Sequence, residues 1–89
     1  MKNEKVSVII PAYNGENVIG DCLNSLNQQD FTGRKEIIVV DDGSSDRTAE
    51  IAKWKGATVI KQENKGPAAA RNLGIRKAGG EIVLFTDSD

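Results

Sequence analysis

Two carboxylates standing two residues apart, Asp87 and Asp89, have the chemistry to hold a hard divalent cation. Carboxylate oxygens are the ligands that magnesium or manganese takes. Some twenty residues earlier, Gly66 and Pro67 open a helical stretch with Arg71 one turn further in. An anion there would meet unpaired backbone N–H groups, the positive pole of the helix dipole and a guanidinium. A phosphate suits that end of the helix, and a cation beside a phosphate implies an ion bridging a diphosphate, stabilising it as it departs. Tyr13 offers a ring on which a base can stack while the hydroxyl stays wet. Of the neighbouring pair Asp41 and Asp42, one carboxylate could accept from a base N–H while the other holds loop backbone.

Each feature also has a plainer reading. Gly66 and Pro67 punctuate a helix start whatever binds there, and Arg71 is then solvated or salt-bridged. Two acids at a strand end serve equally as turn or cap residues. An exposed loop tyrosine is often incidental. Asp42 to Asp46 reads as an Asx-type turn with a helix cap, which is compatible with a binding role.

The elements that must position these residues follow from hydrophobic periodicity. Lys5 to Ile10 is a short β-branched run that Pro11, lacking an N–H, is expected to stop. From Glu16, the apolar residues Val18, Ile19, Cys22, Leu23 and Leu26 draw one helical stripe that ends near Gln28 or Gln29. Glu36 to Asp41 is a nearly continuous apolar strand of the kind covered on both faces. Ser45 or Asp46 then caps a second helix that runs to Lys55 and stops at Gly56. Ala57 to Lys61 reads as a third strand, Pro67 to Ala78 as a third helix, and Glu81 to Thr86 as a fourth strand leading into Asp87-Ser88-Asp89.

This βαβαβαβ alternation predicts a three-layer α/β fold around a parallel sheet. The expected strand order is 3-2-1-4, with helices one and two on one face and helix three on the other. Pro11–Gly15, Asp41–Asp46, Gln62–Gly66 and Asp87–Asp89 then all lie on the carboxyl rim, where such sheets bind ligands.

Composition narrows the classes. The net charge of -1 with scattered Lys and Arg residues argues against a nucleic-acid partner. No apolar run approaches the roughly 20 residues of a bilayer span, so a cytoplasmic location is expected. A single cysteine, Cys22, and no histidine leave no intrachain disulfide and no Cys/His zinc site.

The segments SVIIPAYNGENVIGDCLNSLNQQ, EIIVVDDGSSDRTAEI, NKGPAAARNLGI and EIVLFTDSD, in this order and spacing, resemble the start of a family 2 glycosyltransferase of the GT-A fold. The resemblance covers essentially the whole chain. It implies that Pro11, Ala12 and Tyr13 line a nucleobase pocket with Glu16 close by, and that Asp42 contacts the base with Asp41 in support. It further implies that the loop passes the nucleotide at Gly66, that Arg71 and Asn72 shape that side of the site, and that Asp87 contacts ribose or a metal-bound water. Asp89 is then the direct metal ligand. The implied reaction transfers a sugar from a sugar nucleotide, UDP being the expected nucleotide, to a saccharide or lipid acceptor, with magnesium or manganese and with inversion.

Such a reaction needs a general base. By the resemblance it comes from an acceptor-side half beyond the DxD motif, so residues 1–89 are expected to be the nucleotide-sugar-binding part, truncated at that motif and inactive alone. Membrane attachment of the whole protein is open, since the family includes members with later transmembrane segments. Strand four would be a bare sheet edge, which predicts self-association through it. The competing reading is a non-catalytic nucleotide-binding or structural α/β module. A phosphoacceptor receiver domain would put its acidic pair after strand one, where PAYN stands. A nucleotidyltransferase would need a glycine-rich basic loop at that place.

Overall fold

The structure is a computed structural model describing residues 5–28, 34–79 and 82–85, with residues 34 and 82–85 described by their backbone alone. Its elements are β1 (Lys5–Ala12), α1 (Ile19–Asn27), β2 (Arg34–Asp41), α2 (Thr48–Trp54), β3 (Thr58–Lys61), α3 (Pro67–Lys77) and β4 (Ile82–Phe85). Neighbouring strands pair in parallel in the order β3-β2-β1-β4, with Ile9 of β1 level with Ile38 of β2 and with Phe85 of β4. Side chains are described for three of these strands.

Side chains alternate across a strand, so a continuous apolar run can serve two cores at once. Val6, Val8, Ile10 and Ala12 of β1 join Val39 of β2 in packing against Ile19 and Leu23 of α1 and Ala52 of α2. On the opposite face Ile9, Ile38 and Val40 pack against Ala70 of α3. The result is three layers, with α1 and α2 on one side of the sheet and α3 on the other. Helix α3 comes unusually close. A Cβ added at Gly74 would lie 2.4 Å from Ile9 Cγ2 and 3.4 Å from Val40 Cγ2, so hydrogen is the largest side chain that position accepts.

Several boundaries differ from those read in the sequence. Pro11 does not stop β1: the strand continues through Ala12, with Pro11 level with Val40 and Ala12 with Asp41. The Asp42 N–H donates to Ala12 O at 2.8 Å, so Ala12 turns its peptide groups toward β2 and, by the alternation of parallel strands, Pro11 turns its nitrogen away. On that other side the described pairing with β4 ends at Ile9, so the missing N–H interrupts no described ladder bond.

Helix α1 begins at Ile19, later than Glu16, after a turn in which Gly15 O accepts from both Val18 N (3.0 Å) and Ile19 N (2.8 Å). Val18 therefore sits at the cap and is exposed, outside the buried stripe to which its spacing assigned it. At the far end of α2 the sequence reading and the structure agree. Gly56 takes φ 94°. The N–H groups of Gly56 and Ala57 return to Lys53 O (3.0 Å) and Ala52 O (3.1 Å), a Schellman closure.

At the amino edge of the sheet Glu36 collects its own set of partners. Its Oε2 accepts from Ser7 Oγ at 2.7 Å and from Gly79 N at 3.0 Å, and Lys5 Nζ lies 3.3 Å from Oε1. The Gly79 N–H first, then the Ser7 hydroxyl, outweigh partial burial and with Lys5 hold this carboxyl below its ordinary value.

Candidate functional site

The carboxyl ends of β1, β2 and β3 open onto three loops, and backbone-to-side-chain hydrogen bonds tie these loops to one another. Asn14 takes φ 48°, a left-handed conformation that asparagine tolerates better than most residues. From there its N–H donates to Ser44 Oγ (2.8 Å), and its Oδ1 accepts from Ser45 N (2.8 Å). Next along the chain, Gly15 N donates to Thr48 Oγ1 (2.9 Å) and Glu16 N to Asp46 Oδ2 (3.1 Å), while Arg47 N donates to Glu16 Oε1 (2.9 Å). The β1–α1 and β2–α2 loops are thus laced residue by residue, although they are separated by about thirty positions in sequence.

Of the two residues expected to cap α2, only Asp46 acts near it, its Oδ1 accepting the Thr48 N–H at 3.0 Å and also the Thr48 hydroxyl. Ser45 is diverted to Asn14. Burial pushes the Asp46 carboxyl up, but the Thr48 hydroxyl and N–H and the Glu16 N–H together bring it below its ordinary value.

Asp42 ties in the third loop. The residue is buried, at 5% exposure. Its Oδ1 accepts from Gln62 Nε2 (2.8 Å) and from Lys65 N (2.7 Å), and its Oδ2 accepts from Gly66 N (3.0 Å). Burial alone would push this carboxyl up. The hydrogen bonds from Lys65, Gln62 and Gly66 overcome that and leave it below its ordinary value, so it is ionised near neutral pH and only accepts hydrogen bonds.

The loops also touch through backbone. A Cβ at Gly43, where φ is 82°, would come within 3.1 Å of Asn64 N. Asp41 is buried too, at 3% exposure, and its Oδ1 accepts the Ser44 N–H at 3.0 Å, so the turn after β2 is held by Asp41, one residue before the Asp42 to Asp46 stretch read as an Asx-type turn, while Asp42 turns to the β3–α3 loop. Both acids of the pair therefore hold loop backbone, where one had been expected to do so.

Of the other singled-out residues, Pro11 and Ala12 are buried at the end of β1, and Tyr13 follows them onto the rim, 53% exposed. Glu16 is held through both its N–H and its carboxylate to the neighbouring loop. Gly66, at φ 97°, is the cap of α3, with Pro67 at the first helical position. The amides of Lys65 and Gly66 are taken by Asp42, and Ala70 N bonds Gly66 O at 3.1 Å. Ala68 and Ala69 are then the first-turn amides that an intrahelical bond does not reach. Arg71 is half-buried and Asn72 exposed on the next turn of α3. Asp87 and Asp89 lie outside the described residues. Phe85, at the end of β4, stands level with Ile9, four positions before Tyr13. Among the described residues there is no group of three or more acids or cysteines placed to hold a metal, and no helix long and apolar enough to cross a membrane.

Asn14, Ser44, Thr48 and Gln62 were not singled out from sequence, yet they carry much of the bonding between loops. The available signal was their polarity beside Gly15, Gly43 and the capping run. Which partner each selects depends on strand register, and that is a property of the folded sheet.

Comparison with known proteins gives this rim its relatives. The poly(ribitol-phosphate) beta-N-acetylglucosaminyltransferase TarS of Staphylococcus aureus is 44% identical over 96% of this chain, and the match spans only 16% of that enzyme's length. The structure superposes on the mannosyltransferase PcManGT of Pyrobaculum calidifontis in complex with GDP-Man and Mn2+ with a TM-score of 0.89, at 32% identity, over 99% of this chain and 28% of that one. It superposes on glucosyl-3-phosphoglycerate synthase of Mycobacterium tuberculosis, in complex with Mn2+, UDP and glucosyl-3-phosphoglycerate, with a TM-score of 0.78, at 34% identity, over 97% of this chain and 34% of that one. The family model described as glycosyl transferase family 2 matches residues 7–89, and by that match and these relatives the chain belongs to glycosyl transferase family 2.

Proposed function

We propose that this chain is the donor-binding portion of a glycosyltransferase that moves a sugar from a nucleotide-sugar, UDP-linked, onto a saccharide or lipid acceptor, with inversion. The observation that carries the reading is the single rim formed by three interlaced loops around the buried, ionised Asp42, which follows β2 and holds the Lys65 and Gly66 amides at the start of α3. In this reading Tyr13 stacks on the base beside Pro11 and Ala12, with Glu16 close by. Asp42 accepts a base N–H through the capacity its loop bonds leave, and Asp41 keeps the β2–α2 turn in place beneath it. The diphosphate lies toward the first turn of α3, near Gly66, Arg71 and Asn72. The GDP-Man, UDP and Mn2+ complexes of the related enzymes support a nucleotide and a divalent ion for this chain as well.

Asp87 and Asp89 would hold that ion, Mg2+ or Mn2+, as hard oxygen ligands, with Asp87 also near the ribose. When bound, the ion neutralises charge on the departing diphosphate. The chain's own residues bind and orient the nucleotide. A general base and acceptor contacts are proposed to belong to a further part of the whole protein. A cytoplasmic location goes with this reading, as does self-association of residues 1–89 through β4, one of the two edge strands of the described sheet. Light scattering that gives only the monomer mass at high concentration would remove the latter.

Calorimetry with UDP and Mn2+ tests the central claim. The expected result is UDP binding that needs the metal and is lost in Asp89→Ala. A folded protein with no metal-dependent UDP binding refutes it.

A further inference from the structure

We infer that Gln62, a residue with no role assigned above beyond holding Asp42, determines which nucleobases the site accepts. The inference rests on the donor-site reading just given. Gln62 follows β3 directly, and its backbone N–H donates to Asp41 O at 2.9 Å, extending the β2–β3 ladder by one rung. That anchors the residue beside the acid pair. Its side chain then places Nε2 2.8 Å from Asp42 Oδ1. Because an ionised carboxylate only accepts, the nitrogen of the Gln62 amide must be the atom that faces it.

A carboxylate offers about four acceptor positions, two on each oxygen. On Asp42, Gln62 Nε2 and Lys65 N occupy Oδ1, and Gly66 N occupies one position of Oδ2. One acceptor position therefore remains, on Oδ2. An amide nitrogen carries two hydrogens, and the bond to Asp42 uses one of them. Asp42 thus keeps one acceptor, and the Gln62 amide bonded to it keeps one donor, a pair that suits a base edge carrying an N–H next to a carbonyl. Uracil and guanine carry that edge. Cytosine and adenine carry the inverse, a bare ring nitrogen next to an amino group, and would set a lone pair against Oδ2 and a donor against Nε2.

UDP and CDP share the ribose and the diphosphate and differ at that edge alone, so the pair isolates the base. Calorimetry of the protein with each nucleotide and Mn2+ is expected to favour UDP in the wild type. In Gln62→Leu, UDP affinity should fall about three- to tenfold, the scale of one neutral hydrogen bond, while CDP affinity stays the same or rises. Gln62→Met, which keeps the reach without the donor, should behave alike. Hydrogen exchange at the Lys65 and Gly66 amides should be unchanged in both variants, because those bonds to Asp42 do not pass through Gln62. Parallel weakening of UDP and CDP overturns the inference and makes Gln62 a purely structural residue, as does an unchanged UDP:CDP ratio. If wild-type protein binds neither nucleotide, the donor-site reading itself fails.

Discussion

Replacing Asp42 with alanine should loosen the β3–α3 loop and lower global stability together. Truncation removes the acceptor from Gln62 Nε2, Lys65 N and Gly66 N at one stroke. A donor left without its partner in a buried place costs roughly 1–3 kcal/mol, and hydrogen bonds to charged groups lie at the upper end of that range. Lys65 is exposed and Gln62 and Gly66 are half-buried, so water can replace part of what is lost. The expected loss is therefore about 2–4 kcal/mol, well short of three full penalties. A chain of this length has a total stability on the order of 4–13 kcal/mol, so the effect is large enough to measure cleanly.

Asp42→Asn should fall between, at about 1–3 kcal/mol, because one end of the amide must face an N–H donor with its own NH2. Urea denaturation gives the free energies, and hydrogen exchange at Lys65 and Gly66 localises the change. The pH dependence supplies a sign. The folded carboxyl lies below the value of about 3.9 expected in the unfolded chain. Its contribution is thus fully present above that value and is lost as pH falls through the folded one. The stability gap between wild type and Asp42→Asn should be flat from pH 5 to 8 and shrink below about pH 4. Loss of less than about 0.5 kcal/mol in Asp42→Ala, with the Lys65 and Gly66 amides as protected as before, would refute the reasoning.

Gly74→Ala would bring a methyl against Ile9 and Val40; overpacking of about 1–3 kcal/mol should exceed the gain of about 1 kcal/mol in helix propensity, giving a net loss in urea melts. A gain in stability there would show that α3 can lift off the sheet freely. Asn14→Ala should cost about 1–2 kcal/mol through the left-handed backbone and the lost Ser45 bond, and Asn14→Gly clearly less; equal losses in the two variants would rule out backbone strain as a component. Glu36→Gln should destabilise at pH 7 by about 1 kcal/mol, and the difference should shrink as pH falls below the ordinary glutamate value of about 4.3 and through the lower folded one, where the wild-type side chain takes up its proton. A pH-independent difference would contradict the lowered folded pKa.

Much of this architecture was legible because apolar runs and helical stripes are local signals. The runs at Lys5–Ile10 and Glu36–Asp41 announced strands, the second with two buried faces, and Gly56 and Gly66-Pro67 marked a helix end and a helix start where the structure has them. What was not legible depends on which way a strand turns its peptide groups. Pro11 reads as a stop in any one-dimensional scan, and only the pairing of Ala12 with Asp41 reveals that its nitrogen faces away from β2. Candidate site residues were likewise visible as types but not as partners. Asp41, Asp42 and Glu16 stood out as acids, whereas their commitment to Ser44, to Lys65 and Gly66, and to Arg47 follows from how close the sheet brings three loops.

The lacing of the first two rim loops bears on how such a protein can be altered. Asn14 answers to Ser44 and Ser45, Gly15 to Thr48, and Glu16 to Asp46 and Arg47, mostly through main-chain donors on one side and side-chain oxygens on the other. A substitution in either loop therefore acts on the other. Anyone transplanting the Pro11–Glu16 segment from a relative to change what the rim binds would be moving half of a matched set. The Asp41–Thr48 segment would have to travel with it, because the unit that can be exchanged is the pair.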